Sequence, residues 1–389
     1  MVENRVLVTR PVLPELEKYV EYLKRIWTTR WLTNDGEFVQ QLERRLEEYL
    51  KIKDLTLVSN GTLALHVAIK ALDLKGEVVT TPFTFPATTN AILWEGLTPV
   101  FADIDAETFN INPSDVESKI TKKTSAILAV HTYGNPCYVE ELQEIANRYN
   151  IKLIYDAAHA FGVEYKNQSV IKYGDISTLS FHATKVFNTI EGGAIYAADE
   201  KVTEKIRLMR NHGIRSEEKV CIVGTNAKMN EFQAIMGLCN LEEIDEKIRL
   251  RKNIFNHYKE GLANNGQVKV QKTIASKNNY SYMPVCFENI EKRNQMHFEL
   301  LRNGVVSRKY FYPLTTEADY FKEKGLNLVK EYNLKNASDI ANRILCLPLY
   351  PDLDIESVEK IINILNYLLK EPQKPFRKIP TSPELVTAQ

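Results

Sequence analysis

Apolar side chains recur at three- and four-residue intervals in residues 14–27, PELEKYVEYLKRIW, and again in 36–50, GEFVQQLERRLEEYL, with charges filling the other positions. That spacing predicts two amphipathic helices at the start of the chain. From residue 55 onward the texture alternates. Short apolar runs, LTLV, EVV, PVF, SAILAV and KLIY, are separated by stretches with helical spacing: TLALHVAIKAL, TTNAILWEG, PSDVESKI and YVEELQEIANRYN. Strand and helix by turns predict an α/β fold whose mostly parallel sheet is covered by helices on both faces. Two more apolar segments, one ending at Ser180 and one running through GGAIYAAD, flank the stretch SFHATKVFNTIEGGA.

Beyond GGAIYAAD the pattern predicts long helices around EKIRLMRNHG and over residues 230–262, and then it changes character. YSYMPVCF and VSRKYFY read as strands, RNQMHFELLRNG and IESVEKIINILNYLLK as helices. A large domain over residues 1–245 and a smaller α+β domain over 246–370 are expected, followed by a Pro-rich surface tail, 371–389.

Charge narrows the choice of partner. Lysine plus arginine and aspartate plus glutamate each number 50, so no global field draws the protein to nucleic acid or an anionic membrane. Any phosphate has to be bound locally. The five cysteines are odd in number and widely spaced, which argues against a disulfide framework and against a zinc site. No apolar run is long enough for a signal peptide or a membrane span, and a cytoplasmic protein is expected.

The chemistry is expected at the C-terminal ends of the strands, where open α/β sheets hold ligands. In SNGTLAL, Gly61 admits a close approach, Thr62 offers a hydroxyl, and the following helix points its free N–H groups at the same spot. In PFTFPATT, Phe85 follows a strand and precedes a helix; in LIYDAAHA, Asp156 follows an apolar strand and His159 comes three residues later. Lys185 lies five residues after Ser180 at another strand end, where partial desolvation lowers an amine's pKa and makes it nucleophilic. Taken singly, each has an ordinary explanation: a turn, a core aromatic, a structural histidine, a surface lysine. Together, an anion cradle, an aromatic face, a buried aspartate and a reactive lysine are what a protein needs to hold pyridoxal phosphate.

In order and spacing, SNGTLAL, TPFTFPATTNA, IYDAAHAFG, SFHATKVFNTIEGGAIYAAD, RNHG, GTNAKMNEFQAIMG and CLPLYPDL resemble the motifs of the DegT-type sugar aminotransferases, fold-type I pyridoxal phosphate enzymes. The resemblance implies that Lys185 is the Schiff-base lysine and Asp156 the partner of the pyridine nitrogen. It implies that His159 lies near the ring hydroxyl, that Gly61, Thr62 and Ser180 bind the phosphate, and that Phe85 stacks on the ring. Asn226 matches an asparagine that in relatives reaches the phosphate of the neighbouring subunit, so a homodimer with shared active sites is expected.

Two departures bear on the substrate. Lys228 stands where relatives commonly have arginine, and WLTNDG places Asn34 and Asp35 where many have Gly-Pro. The activity implied is transfer of an amino group from L-glutamate, leaving 2-oxoglutarate, to a nucleotide-linked 4-keto-6-deoxy sugar, with dTDP-4-keto-6-deoxyglucose as the expected acceptor and surface polysaccharides as the usual destination. Amination at C3 of a 3-keto sugar is the alternative, and a non-catalytic pyridoxal phosphate-binding regulator a more distant one. A nucleotide diphosphate needs cations, for which Arg30, Arg215, Lys228 and Arg308 are candidates, with Thr33 and Tyr310 as further substrate contacts.

Overall fold

Helices α1 (Leu16–Thr29) and α2 (Glu37–Leu50) occupy the two amphipathic stretches at the start of the chain. The computed structural model describes residues 5–263 and 266–370, so the predicted tail over 371–389 lies outside the described residues. β1 (Thr56–Val58), α3 (Gly61–Ala71), β2 (Glu77–Thr80), α4 (Pro86–Trp94), β3 (Thr98–Phe101), α5 (Pro113–Lys119), β4 (Thr124–Val130), α6 (Val139–Tyr149) and β5 (Lys152–Asp156) alternate as the pattern predicts. A small hairpin of β6 (Glu164–Tyr165) and β7 (Gln168–Ser169) precedes β8 (Ile176–Ser180), and β9 (Gly193–Ala197) follows the loop that carries Lys185.

These strands build a seven-stranded sheet in the order β1-β9-β8-β5-β4-β2-β3. Strands β8, β5, β4, β2 and β3 run parallel, while β9 is antiparallel to both its neighbours. The loop between β8 and β9 contains no helix, so it cannot make a parallel crossover and returns β9 in the opposite sense.

Strand periodicity divides the buried residues between two layers. Val78, Ala126, Leu128 and Ile154 pack with Leu65 and Ile69 of α3 and Ile92 of α4. Their alternates Val79, Ile127, Ala129, Leu153 and Tyr155 pack on the opposite face with Val116 of α5, Leu142 and Ile145 of α6 and the apolar stripe of α2. Both faces are therefore covered, which is why these strands read as continuous apolar runs.

Next come α7 (Glu200–Arg210), an exposed hairpin of β10 (Ile214–Ser216) and β11 (Lys219–Val220), α8 (Glu231–Glu242) and α9 (Ile244–Ala263). The C-terminal part holds β12 (Lys269–Val270), β13 (Met283–Cys286), α10 (Ile290–Arg302), the short α11 (Asp319–Lys322) and α12 (Leu328–Glu331), α13 (Lys335–Arg343), β14 (Ile344–Leu347) and α14 (Ile355–Lys370). β12, β13 and β14 form an antiparallel three-stranded sheet. Helix α9 joins two cores: Ile244 and Ile248 pack with the large sheet, whereas Ile254, Tyr258 and Leu262 pack with β13, β14 and α14.

Residues 306–312, read from the sequence as a strand, are not one. Arg308 bridges Cys346 of β14, and the backbone then leaves the sheet. Tyr310 and Phe311 are consecutive and both buried, packing against Tyr133, whereas a strand would send them to opposite faces.

Candidate active site

The same alternation that places Ile154 and Ile176 against the α3 side of the sheet carries Asp156, Thr178 and Ser180 to that side, at the ends of β5 and β8. There the strand ends, the first turn of α3, the loop before α4 and the Arg308–Phe311 segment enclose a cavity of about 880 Å³. Gly61, Thr62, Phe85, Asp156, His159, Ser180, Lys185, Arg308 and Tyr310 all line it. Residues separated by up to 249 positions in the chain (from Gly61 to Tyr310) thus converge.

At one end is an anion cradle. The Asn60 side chain accepts the Leu63 N–H at 2.8 Å and caps α3, leaving the helix N-terminus and its dipole facing the cavity. A Cβ on Gly61 would fall 2.7 Å from Cβ of Ser180 and 3.0 Å from its Oγ, so glycine is what lets α3 come up against the end of β8. Gly193 does the same from the other side, since its Cβ would meet the Leu179 carbonyl at 2.7 Å and the Asn60 backbone at 2.8 Å.

Deeper in, Asp156 is buried, and its carboxylate accepts from the Thr88 hydroxyl at 2.8 Å and the Ala158 N–H at 3.1 Å. Because Thr88 gives its proton to Asp156, Thr84 in turn donates to Thr88 at 2.8 Å. Burial pushes the Asp156 pKa up, and these two hydrogen bonds and the Lys185 charge pull it back. Lys185, held in a turn by its N–H to the His182 carbonyl, keeps part of its surface open to the cavity. Desolvation lowers its amine to about 8, with Asp156 opposing and Arg308 assisting. Burial likewise holds His159 neutral, helped by Lys185 and Arg308. Its Nδ1 accepts the Tyr133 N–H at 3.3 Å, which leaves the ring proton on Nε2.

The walls are aromatic. Phe85 is 48% exposed and turns its ring to the cavity, with Tyr310 tilted against it at 6.5 Å. Tyr282 sits between His159 at 4.8 Å and Tyr310 at 5.3 Å, and the Arg308 guanidinium lies 4.2 Å from the centre of the Tyr310 ring. At the mouth, His182 faces Glu191 at 3.6 Å.

Five of the residues singled out from the sequence lie elsewhere. Arg30 and Thr33 are exposed beyond α1, and Arg215 pairs with Glu204 on the outer surface at 2.6 Å. Lys228 lines a separate depression of about 300 Å³ with Asp35 and Arg210. Asn226 is exposed and bridged to Asn211, outside the cavity that its neighbour Thr225 touches. Conversely, Thr84, Thr88 and Tyr282 belong to the site and were not singled out. The hydroxyls of PFTFPATT, four residues apart at the start of a helix, were the available signal for the first two; nothing local marks Tyr282.

The arrangement fits pyridoxal phosphate on three observations of this chain: a helix N-terminus whose approach to Ser180 a Cβ would block, a buried carboxylate with no full counter-charge beyond Lys185, and a half-exposed aromatic ring in the same cavity. An amine at about 8 in the same cavity is a carbonyl-capturing group and a proton carrier. Comparison with known proteins agrees. Residues 15–366 match the DegT/DnrJ/EryC1/StrS aminotransferase family. Two dTDP-4-amino-4,6-dideoxy-D-glucose transaminases are similar over nearly their whole length: that of Escherichia coli is 42% identical, covering 94% of this chain and 99% of the relative, and that of Shigella dysenteriae 41%, covering 93% and 99%. Among solved structures, DesI in the presence of its TDP-sugar product superposes with a TM-score of 0.88 at 32% identity, covering 94% of this chain and 93% of that one.

Proposed function

Because the chain belongs to the DegT/DnrJ/EryC1/StrS aminotransferase family, whose members use pyridoxal phosphate, we propose that it transfers an amino group from L-glutamate to C4 of a dTDP-linked 4-keto-6-deoxy sugar. What supports the sugar and its nucleotide is the near-complete match to the two dTDP-4-amino-4,6-dideoxy-D-glucose transaminases. What supports the chemistry is the meeting of Lys185 and Asp156 in one cavity.

When bound, pyridoxal phosphate supplies an electron sink and a carrier for the amino group. The residues do the rest. Gly61, Thr62 and Ser180 would hold the phosphate through helix N–H groups and hydroxyls. Phe85 would cover the ring, and Asp156, braced by Thr88 and Ala158, would hold the proton on the ring nitrogen. His159 stays neutral and would offer its Nε2–H to the ring hydroxyl. Lys185, deprotonated for part of the time near neutral pH, takes the proton from Cα of the donor. With the keto sugar in place, it returns a proton to C4.

The test is direct. The purified protein, given pyridoxal phosphate, L-glutamate and a panel of dTDP-, UDP- and GDP-linked keto sugars, is expected to yield a 4-amino-4,6-dideoxy sugar on dTDP, identified by NMR. An amine at C3 points to the alternative regiochemistry, and no aminated nucleotide sugar at all defeats the proposal.

We further assign residues 1–245 and 246–370 to a large and a small domain, a division supported by the way α9 joins two cores. Among the described residues no helix is long and apolar enough to cross a membrane, and all five cysteines are free, which supports a cytoplasmic setting. A homodimer with shared sites is supported by Asn226, which is exposed and does not line its own chain's cavity. Lys185→Ala and Asn226→Ala chains, each impaired alone, are expected to regain activity on mixing, because one site of the heterodimer carries both lesions and the other neither. An impaired Asn226→Ala that never complements assigns that residue to its own subunit's site.

A further inference from the structure

Arg308 is the one arginine among the described residues that line the cavity, and it makes no ion pair with any described residue. Its position is set from both ends. The backbone exchanges hydrogen bonds with Cys346 at the edge of β14, N–H to carbonyl at 3.0 Å and carbonyl to N–H at 2.7 Å. The guanidinium then lies over the Tyr310 ring, 4.2 Å from its centre, a contact that holds the charge in place while its N–H groups donate to no described residue. A fixed, unpaired fork of donors in a cavity is built for an oxyanion that arrives with the substrate.

The cavity receives two anionic substrates in turn, and distance from Lys185 separates them. In an α-amino acid the carboxylate is bonded to the same carbon as the amine, so its oxygens lie within about 3 Å of the reacting nitrogen. In a nucleotide-linked 4-keto sugar the pyranose ring and the anomeric oxygen stand between the carbonyl carbon and the first phosphate. An anion-binding group that acts close to Lys185 therefore suits the donor's carboxylate and is misplaced for the diphosphate. Arg308 is such a group: its guanidinium lies over Tyr310, whose ring centre is 6.0 Å from that of His159, and all three line the cavity that holds Lys185.

We propose that Arg308 receives the α-carboxylate of the amino donor, so that its side chain serves the donor half of the reaction and not the nucleotide-sugar half. This rests on the transaminase function proposed above and replaces the diphosphate contact for which Arg308 was a candidate from sequence. The donor then docks with its carboxylate on the C-terminal part of the chain and its α-hydrogen toward Lys185 from the large sheet, which orients the Cα–H bond for removal.

The experiment separates the halves. Binding is measured spectrally with 2-methyl-L-glutamate, which carries the amine and carboxylates but has no α-hydrogen to lose, on enzyme loaded with pyridoxal phosphate. Arg308→Gln is expected to weaken that binding about 100-fold, and Arg308→Lys, which keeps the charge and loses the fork, about 10-fold. In single-turnover reactions of enzyme loaded with pyridoxamine phosphate, the KM for the dTDP-keto sugar is expected to stay within about 3-fold of wild type in both variants, which also shows that they are folded and loaded. Unchanged binding of 2-methyl-L-glutamate overturns the proposal. So does a sugar half-reaction impaired as much as the donor half, which returns Arg308 to the diphosphate or to a general structural role. If the wild-type protein aminates no nucleotide sugar, the proposed function fails while the 2-methyl-L-glutamate measurement still decides the place of Arg308.

Discussion

Lys185→Ala is expected to remove the visible absorption of lysine-bound pyridoxal phosphate and to lower turnover by about 10⁴-fold or more. No other amine lines the cavity among the described residues, so nothing replaces it either as the group that captures the cofactor's carbonyl or as the carrier of the substrate's proton. The environment explains why this lysine suits both tasks. Desolvation brings its pKa from 10.5 to about 8, so about a tenth of the amine is neutral at pH 7, against roughly one part in three thousand for an ordinary lysine. The sign of the pH dependence follows. In protein freed of cofactor, the rate at which pyridoxal phosphate is captured should climb with pH through a midpoint near 8 and flatten above it, because protonation below that point removes the nucleophile. Arginine at this position restores the positive charge without the nucleophile and is expected to remain inactive. Spectral capture and turnover by the alanine variant, or a capture midpoint near 10.5, would count decisively against Lys185.

The alternation of apolar runs and helical stretches was enough to place the large sheet, because strands buried on both faces leave an unmistakable block of Val, Ile, Leu and Ala between helices. Four site positions were legible for the same reason. Asp156 and Ser180 close strands β5 and β8, Gly61 and Lys185 come within five residues of a strand's end, and strand ends on one side of a parallel sheet are brought together by the fold itself. The remainder depends on contacts between distant parts of the chain. Thr88 is an ordinary helix residue until α4 packs it 2.8 Å from Asp156. Tyr282 and Arg308 reach the cavity from beyond α9, where only the docking of the second core decides which way they face. Residues 306–312 misled because Val, Tyr and Phe favour strands, whereas here Tyr310 and Phe311 are claimed by Tyr133 and the backbone bends to bury both. The cations at Arg30, Arg215 and Lys228 show the opposite failure: charge alone does not locate a residue, and each lies outside the cavity of its own chain.

Asp156→Asn separates charge from shape at the buried carboxylate of the site. The amide has nearly the carboxylate's volume and can still accept a hydrogen bond from Thr88 or Ala158, so the fold is expected to survive. The negative charge that holds a proton on the cofactor's ring nitrogen is gone, and kcat is expected to fall about 10²- to 10³-fold. Stability should move the other way in protein without cofactor. Burial raises the Asp156 pKa above its unfolded value, and a carboxyl shifted in that direction favours folding most at low pH and costs stability as pH rises through its folded pKa. At neutral pH the wild-type chain therefore carries a desolvated carboxylate that Lys185 only partly offsets, and the asparagine variant does not. Its thermal midpoint without cofactor should be equal to or above that of wild type. On adding pyridoxal phosphate the order reverses, because the ring's N–H⁺ supplies the counter-charge that Asp156 lacks and that asparagine cannot use. Wild type should thus gain more in melting temperature from the cofactor than Asp156→Asn does, and the difference between the two gains reports the charge pair independently of turnover. If the variant turns over at the wild-type rate, or gains as much melting temperature from pyridoxal phosphate as wild type, then Asp156 is not the partner of the ring nitrogen and its burial is structural alone.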